Sequence, residues 1–393
     1  MIIFGIRAHY AAIGGVENSI RNLVRVAAAR KVKTVIVCRQ PIDKEILDTE
    51  ASKRPANTEL EMYPDDTNFS IFRRLISLLS GGVILANVYK GLYQKCPYAV
   101  VIARHHAHVL AAKKAGFKTI KYLVPSIIGN QLREEAMEVT WTAKARIFLH
   151  AKVDGFAQSR ALCSSEVFVF SQTMADQVNN AVNRGFARIP VQVVRPGVDK
   201  KRFNIVSNRE KVELRKKLNL PESKKIFLFV GRLVKAKGLD FFIRAMEELP
   251  DNCFAVLVGE GDQLTSLLDS IRVNSLEEKI SYCGRTSRVE DFYKACDVFV
   301  MSSTYEPLGQ TLLEAIACGM AVVAFHRSTG VNTATHELNI DHVVHYADSL
   351  DGKGLATAMR NFLNSPSTAS PTISAECLDG WDKLWDDLIP AAQ

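Results

Sequence analysis

The chain has 393 residues, 47% of them apolar and 23% charged, the balance of an ordinary globular protein, which excludes an intrinsically disordered or collagen-like chain. At about 150 residues per domain the length predicts two domains, at most three. The longest uncharged stretch, Leu75 to Tyr89, is 15 residues, short of the roughly 18 that a membrane-spanning helix needs, so no span is predicted.

Net charge is +8 and unevenly spread: residues 1–200 hold 28 Lys/Arg against 16 Asp/Glu, whereas 201–393 hold 22 against 26. Residues 67–133 contain ten Lys/Arg and no acid, a surface expected to attract phosphate, anionic lipid or nucleic acid. Apolar Met1 to Ile6 precedes Arg7, the reverse of a secretory leader, and reads as a first core strand. The eight cysteines (38, 96, 163, 253, 283, 296, 318, 377) lack metal-site spacing and sit mostly in apolar runs. Reduced, buried thiols in a cytoplasmic protein are the expectation.

Short apolar runs alternate with helical stretches along the whole chain, the pattern of parallel sheets covered by helices. In chain order the predicted strands of the first half are Ile2–Ile6, Thr34–Cys38, Tyr98–Ala103, Thr119–Val124, Val167–Ser171 and Val191–Val194. Those of the second half are Ile226–Gly231, Phe254–Val258, Lys279–Cys283, Val298–Met301, Ala321–Phe325 and His342–His345. Two doubly wound α/β domains in series follow, with the seam in Arg195 to Pro221 and a charged helix from about Ser207 to Leu218. A Ser/Pro-rich stretch, SPSTASPTIS from Ser365, reads as a linker into a terminal helix at about Leu378–Leu388.

Ligands of open parallel sheets bind beyond the carboxyl ends of the strands. After Val298–Met301 the sequence SSTYEPLGQTLLEAIACG predicts a helix from about Gly309 to Gly319. Its first amides, around Leu308, Gly309 and Gln310, would be unpaired and stabilise an anion, most simply a diphosphate. Glu306 lies in that turn and Glu314 inside the apolar helix, where a carboxylate is costly unless it accepts hydrogen bonds. A sugar hydroxyl for Glu306 and a ribose diol for Glu314 would supply them; a basic partner for Glu314 and plain solvation of Glu306 are the alternatives. After Ile226–Val230, GRLVKAKGLDFF places Arg232 and Lys237 at the same rim, two cations suited to a departing diphosphate without a metal. After the first strand, Gly14 and Gly15 open a helix from about Val16 and permit close backbone approach. Neither a Gly-x-Gly-x-x-Gly fingerprint nor a phosphate loop is present, which disfavours a nicotinamide or flavin enzyme.

Taken together, Gly14-Gly15-Val16-Glu17, PGVDKKRF (196–203), GRLVKAKG (231–238), VGEGDQL (258–264) and the Glu306/Glu314 pair resemble the retaining nucleotide-sugar glycosyltransferases of family four. That resemblance implies the GT-B fold, two Rossmann-like doubly wound domains facing across a cleft. The expected domains are an acceptor domain 1–200, a nucleotide-sugar domain 201–375, and a terminal helix in 376–393 that returns to the first domain, Trp381 matching the family's tryptophan-bearing helix.

The resemblance assigns Arg232 and Lys237 to the donor diphosphate, Glu314 to the ribose, Glu306 to the transferred sugar and the backbone of Leu308, Gly309 and Gln310 to the phosphates. Gly14 and Gly15 would close over them, and Arg285 and Thr286 would lie near the base. The donor is expected to be a UDP- or GDP-sugar, with no cofactor and no metal. Where the family carries a sugar-site histidine, this chain reads YLVPSIIG with Pro125. His105, His106 and His108 in ARHHAHVL stand just upstream, and His106 and His108 are the substitute candidates, against a plain role in opening a helix.

Retention is expected by front-face substitution. The acceptor reads less clearly. Phe69, Phe72, Leu75, Ile76 and Leu79 fall on one helical face beside Arg73 and Arg74, an interfacial or a core-facing pattern. The first reading, with Lys113 and Lys114, predicts a lipid-linked acceptor at an anionic membrane surface through residues 67–133. Other readings are a nucleic-acid binder, disfavoured because no aromatic residues interleave the basic ones, a sugar-nucleotide isomerase or hydrolase, and a catalytically silent sugar-nucleotide-binding subunit.

Overall fold

The computed structural model describes residues 1–10, 12, 14–41, 54–64, 82–128, 141–182 (backbone alone to 151), 189–307, 309–338, 340–365 and 378–390. The 69–79 segment, Leu308, Cys377 and most of the Ser/Pro stretch lie outside them. Two compact units divide the chain: Met1–Pro196 with Trp381–Gln393, and Gly197–Gly380.

Unit 1 is built on β1 (Ile2–Gly5), β2 (Thr34–Arg39), β3 (Thr58–Tyr63), β4 (Val100–Ala103), β5 (Ile120–Leu123), β6 (Glu166–Val169) and β7 (Val191–Val193). They form one parallel sheet in the order β3-β2-β1-β4-β5-β6-β7. Alternate residues of β1 to β6 serve two separate cores. Ile3 packs with Val35, Tyr89 and Val101 on one face, while Ile2 and Phe4 pack with Ile36, Ile102 and Phe168 on the other. Strands covered on both faces therefore read as unbroken apolar runs. β3 escapes the apolar-run reading because it is an edge strand. Its Glu59 pairs with Lys33 at 2.7 Å and its Glu61 with Lys95 at 3.8 Å, a usual protection of a sheet edge.

The helix Gly15–Ala29 seats Ile20, Leu23, Val24 and Ala27 on the second of these faces. The terminal helix Trp381–Leu388 joins it there through Trp381, Leu384, Trp385 and Leu388, all buried at a spacing that defines one helical face. Arg30, just past the first helix, bonds Asp386 through Nη2 to Oδ2 at 3.2 Å and lies over the Trp385 ring.

Unit 2 carries β8 (Lys225–Val230), β9 (Cys253–Val258), β10 (Ile280–Tyr282), β11 (Val298–Met301), β12 (Tyr305–Glu306), β13 (Ala321–Phe325), β14 (Asn332–Thr333) and β15 (Val344–Ala347). Its main sheet is parallel, in the order β10-β9-β8-β11-β13-β15, and β12 pairs with β14 alone. The strand expected at His342–His345 starts two residues later because Asp341–Val343 forms a 3₁₀ turn. The charged helix Asn208–Lys217 is capped by Ser207, whose Oγ accepts from Glu210 N–H. It is anchored through Lys211 and Arg215, both 2.7 Å from Asp297, which also accepts the Ile226 amide. The seven described cysteines are free thiols; Cys163 is exposed, unlike the buried thiols expected from the apolar runs. No described helix is long and apolar enough to cross a membrane.

Candidate functional site

The conspicuous cluster of unit 2 lies where the turns after β8 and β11 meet. β8 ends at Val230, and the chain is then clamped by the loop after β9: Leu233 N–H donates to Glu260 O at 2.8 Å and Gln263 N–H to Leu233 O at 3.0 Å. Gly259 adopts φ 147°, and a Cβ there would stand 1.8 Å from Gly231 O, so only glycine lets the two loops touch. Lys235–Lys237 make one 3₁₀ turn ending in Gly238 at φ 62°, where a Cβ would meet Ser302 O at 2.1 Å. Ser302 Oγ in turn donates to Lys237 O at 2.8 Å. The two turns are thereby locked together, and Lys237 is set against Glu306.

Lys237 and Glu306 form an ion pair, both side chains largely buried. The other carboxylate oxygen of Glu306, Oε1, accepts the Gly309 amide at 3.0 Å. Gly309, in the left-handed region, caps the helix Gln310–Ala317. The Gly309 N–H expected to be unpaired is therefore occupied, because Glu306 stands three residues ahead as an acidic cap. Glu306 is likewise not a solvated loop residue. Gln310 uses its side chain to donate to Gly197 O at 3.1 Å, tying the head of this helix to the PGVD turn. Arg232 is exposed beside this cluster in sequence. Arg285 and Thr286 follow β10, two strands from β8 in the sheet; Arg285 approaches Glu260 at 3.5 Å, and Thr286 Oγ1 accepts the Arg288 amide at 3.0 Å.

Glu314 is buried, and its partner is neutral: Tyr293 OH donates to Oε2 at 3.1 Å. Burial pushes its pKa up to about 7, against the pull of that hydrogen bond and of Arg202. Arg202, from PGVDKKRF, is held near by Glu290 at 2.7 Å. Tyr293 does not stand out in the sequence, since it reaches the glutamate from another helix, and Arg202, though inside PGVDKKRF, acts on it only through its charge. A carboxyl that titrates at about 7 when folded and near its ordinary 4.5 when unfolded subtracts stability as pH rises between those values, and the whole loss is present above about 7. Glu314→Gln should therefore melt above the native protein at pH 8 by the equivalent of at most about 3 kcal/mol, and the difference should shrink toward pH 5. Parallel melting-temperature profiles of the two proteins from pH 5 to 8 would refute that assignment.

In unit 1, Gly14 precedes the helix Gly15–Ala29, with Glu17 folded back toward it. His108 is a core residue between two tyrosines, Nε2 3.1 Å from Tyr63 OH and Nδ1 3.1 Å from Tyr89 OH. His106 is also buried, and His105 Nε2 lies 3.4 Å from Arg7. The loop with Pro125 is organised by Gln158, which donates to Ser126 O at 2.8 Å and accepts the Ile128 amide at 3.1 Å. Nothing near Pro125 in sequence points to that glutamine.

Residues 210–374 match the family model described as glycosyl transferases group 1. These residues belong to the group 1 glycosyltransferases. The glycosyltransferase of Methanocaldococcus jannaschii is 31% identical over 181 residues, 45% of this chain and 46% of that one. The D-inositol 3-phosphate glycosyltransferase of Corynebacterium jeikeium is 29% identical over 302 residues, 69% and 72% of the two chains. The chain thus spans less than half the length of the first of these relatives. HepE of Anabaena, solved in complex with UDP-glucose, superposes with a TM-score of 0.74 at 17% identity, covering 98% of this chain and 97% of HepE. This chain accordingly has two parallel-sheet α/β domains of the GT-B type. Lys237, Glu306, Gly309, Gln310 and Glu314 all lie inside the matched region, as do Arg232, Arg285 and Thr286.

Proposed function

We propose that this protein transfers a hexose-type sugar from a UDP- or GDP-sugar to a saccharide or lipid-linked acceptor, with retention of configuration and without a metal, in glycan assembly. The observation that carries the reading is the Lys237–Glu306–Gly309 constellation. A cation and a helix amide, both suited to phosphate oxygens, are held together by one carboxylate. Unit 2 takes the donor and unit 1 the acceptor. HepE, whose structure holds UDP-glucose, favours uridine as the base.

In the reaction the acceptor hydroxyl attacks the anomeric carbon on the face from which the diphosphate leaves. The bond from that carbon to the phosphate oxygen breaks, and a donor phosphate oxygen takes the acceptor proton. Negative charge growing on the diphosphate is met by Arg232, Lys237 and the head of the helix Gln310–Ala317, a preorganised electrostatic stabilisation. Glu306 turns to the sugar hydroxyls, Glu314 holds the ribose, and Arg285 and Thr286 line the base. Exposed Lys113, Lys114 and Lys118 favour contact with an anionic membrane surface.

Because Glu306 occupies two phosphate-seeking groups, Glu306→Gln should bind UDP several-fold more tightly than the native protein while transferring sugar more slowly. Calorimetry with UDP, GDP and ADP tests both claims. No heat with any of the three removes the donor site, and weaker binding by Glu306→Gln removes the competition.

A further inference from the structure

Glu314 on the helix Gln310–Ala317 is met by Tyr293 from the helix Val289–Ala295, whose phenol O–H donates to Oε2 at 3.1 Å. The phenol is fixed by its surroundings. Its ring is 1% exposed, met edge-on by Phe203 at 5.7 Å and, tilted, by Phe299 at 5.9 Å. Phe203 in turn lies 5.2 Å under the Arg202 guanidinium, which Glu290 and Ser287 O each hold at 2.7 Å. Burial pushes the Tyr293 phenol well above its ordinary range, so it stays an O–H donor at any working pH.

Glu314 spends only one oxygen on this contact. Oε2 is taken, whereas Oε1 accepts no hydrogen bond from a described residue and is not sealed from solvent. A carboxylate held at one oxygen and open at the other is a directed acceptor, because the bonded oxygen fixes the plane in which the lone pairs of the free one lie. Fixing it beforehand removes the ordering cost that a freely turning glutamate would carry on binding. The Tyr293 O–H also favours the ionised form of Glu314, Arg202 adds to this through its charge, and Glu290 opposes it. Only the ionised carboxylate accepts at both oxygens.

We infer that Tyr293 is a positioning residue for nucleotide selection: by holding Glu314 Oε2 it reserves Oε1 for a ribose hydroxyl, so that the site takes ribonucleoside diphosphates and discriminates against those lacking the 2′,3′-diol. This rests on the assignment of Glu314 to the ribose and adds the group that aims it.

The test is calorimetry on the full chain and on Tyr293→Phe, comparing UDP with 2′,3′-dideoxy-UDP and GDP with 2′,3′-dideoxy-GDP. It is run at pH 8, above the value of about 7 at which Glu314 ionises. The native protein should prefer the diol-bearing nucleotide by roughly tenfold or more, the effect usual for a hydrogen bond to a charged group. Tyr293→Phe keeps the ring and removes one oxygen; its preference should shrink to about twofold, with the dideoxy affinity held, since only the aim of the acceptor is lost. A residue that merely filled the core would move both affinities together or neither, leaving their ratio as it was. Should Tyr293→Phe fail to fold, Tyr293→Met, equally without a donor, is measured in the same way. The proposal is overturned if the folded variant keeps the native preference, a result that leaves the ribose assignment standing. A native protein that binds both nucleotides alike overturns that assignment and the proposal with it, and no heat with UDP or GDP removes the donor site on which both rest.

Discussion

Lys237→Ala is expected to lower kcat for sugar transfer about 10²- to 10³-fold, the loss usual when one preorganised group facing developing charge is removed. The side chain is largely buried and its partner is Glu306, so the variant strands a carboxylate, yet Glu306 keeps its bond to the Gly309 amide. The turn itself is held by backbone: Lys237 N–H donates to Val234 O at 2.9 Å, and Thr304 N–H donates to Ala236 O at 3.0 Å. The fold of unit 2 should therefore survive with a modest loss of stability. Steady-state kinetics beside a melting curve separates the two effects. A variant that transfers sugar at near-native rate would remove Lys237 from the leaving-group role, and one that unfolds would make it a structural residue.

Trp385→Ala should unfold unit 1 far more readily than its position near the end of the chain suggests. The indole is 3% exposed and packs in the same core as Phe4, Ile20 and Leu23. Deleting a buried aromatic side chain costs about 3–5 kcal/mol, a large part of the stability of a domain. The chain has three tryptophans, Trp141, Trp381 and Trp385, and all belong to unit 1. Tryptophan fluorescence during urea unfolding therefore reports that unit alone, and the buried Trp381 still reports in the variant. The fluorescence midpoint should drop sharply while UDP binding, which the proposed function gives to unit 2, keeps its affinity by calorimetry in the absence of urea. An unchanged midpoint would mean that the terminal helix is only loosely seated.

Most of the sheet was legible because parallel strands covered on both faces leave a strong local trace, as in Phe227 and Phe229 or Val298 and Val300. The exceptions have equally local causes. β3 alternates polar and apolar residues at an edge, β12 and β14 are two residues long, and His342 sits in a turn that apolar content alone cannot separate from a strand. In the site, the turn residues announced themselves through glycine: Gly238 and Gly309 mark the backbone shapes that only the loop geometry explains.

By itself, the sequence determined the alternation of strands and helices, the two sheets, the turns rich in candidate groups and the resemblance that named their roles, since each depends on residues within a few positions of one another. Only the tertiary structure decided the partners. Lys237 meets Glu306 across 69 positions, Tyr293 meets Glu314 across 21, and Arg30 meets Asp386 across 356. It decided also that His108 is core, that the Gly309 amide is occupied, and that Arg104 is buried without an ion-paired carboxylate among the described residues. The reason is physical: charge pairing, desolvation and hydrogen-bond satisfaction act over a few ångströms of space, whatever the separation along the chain.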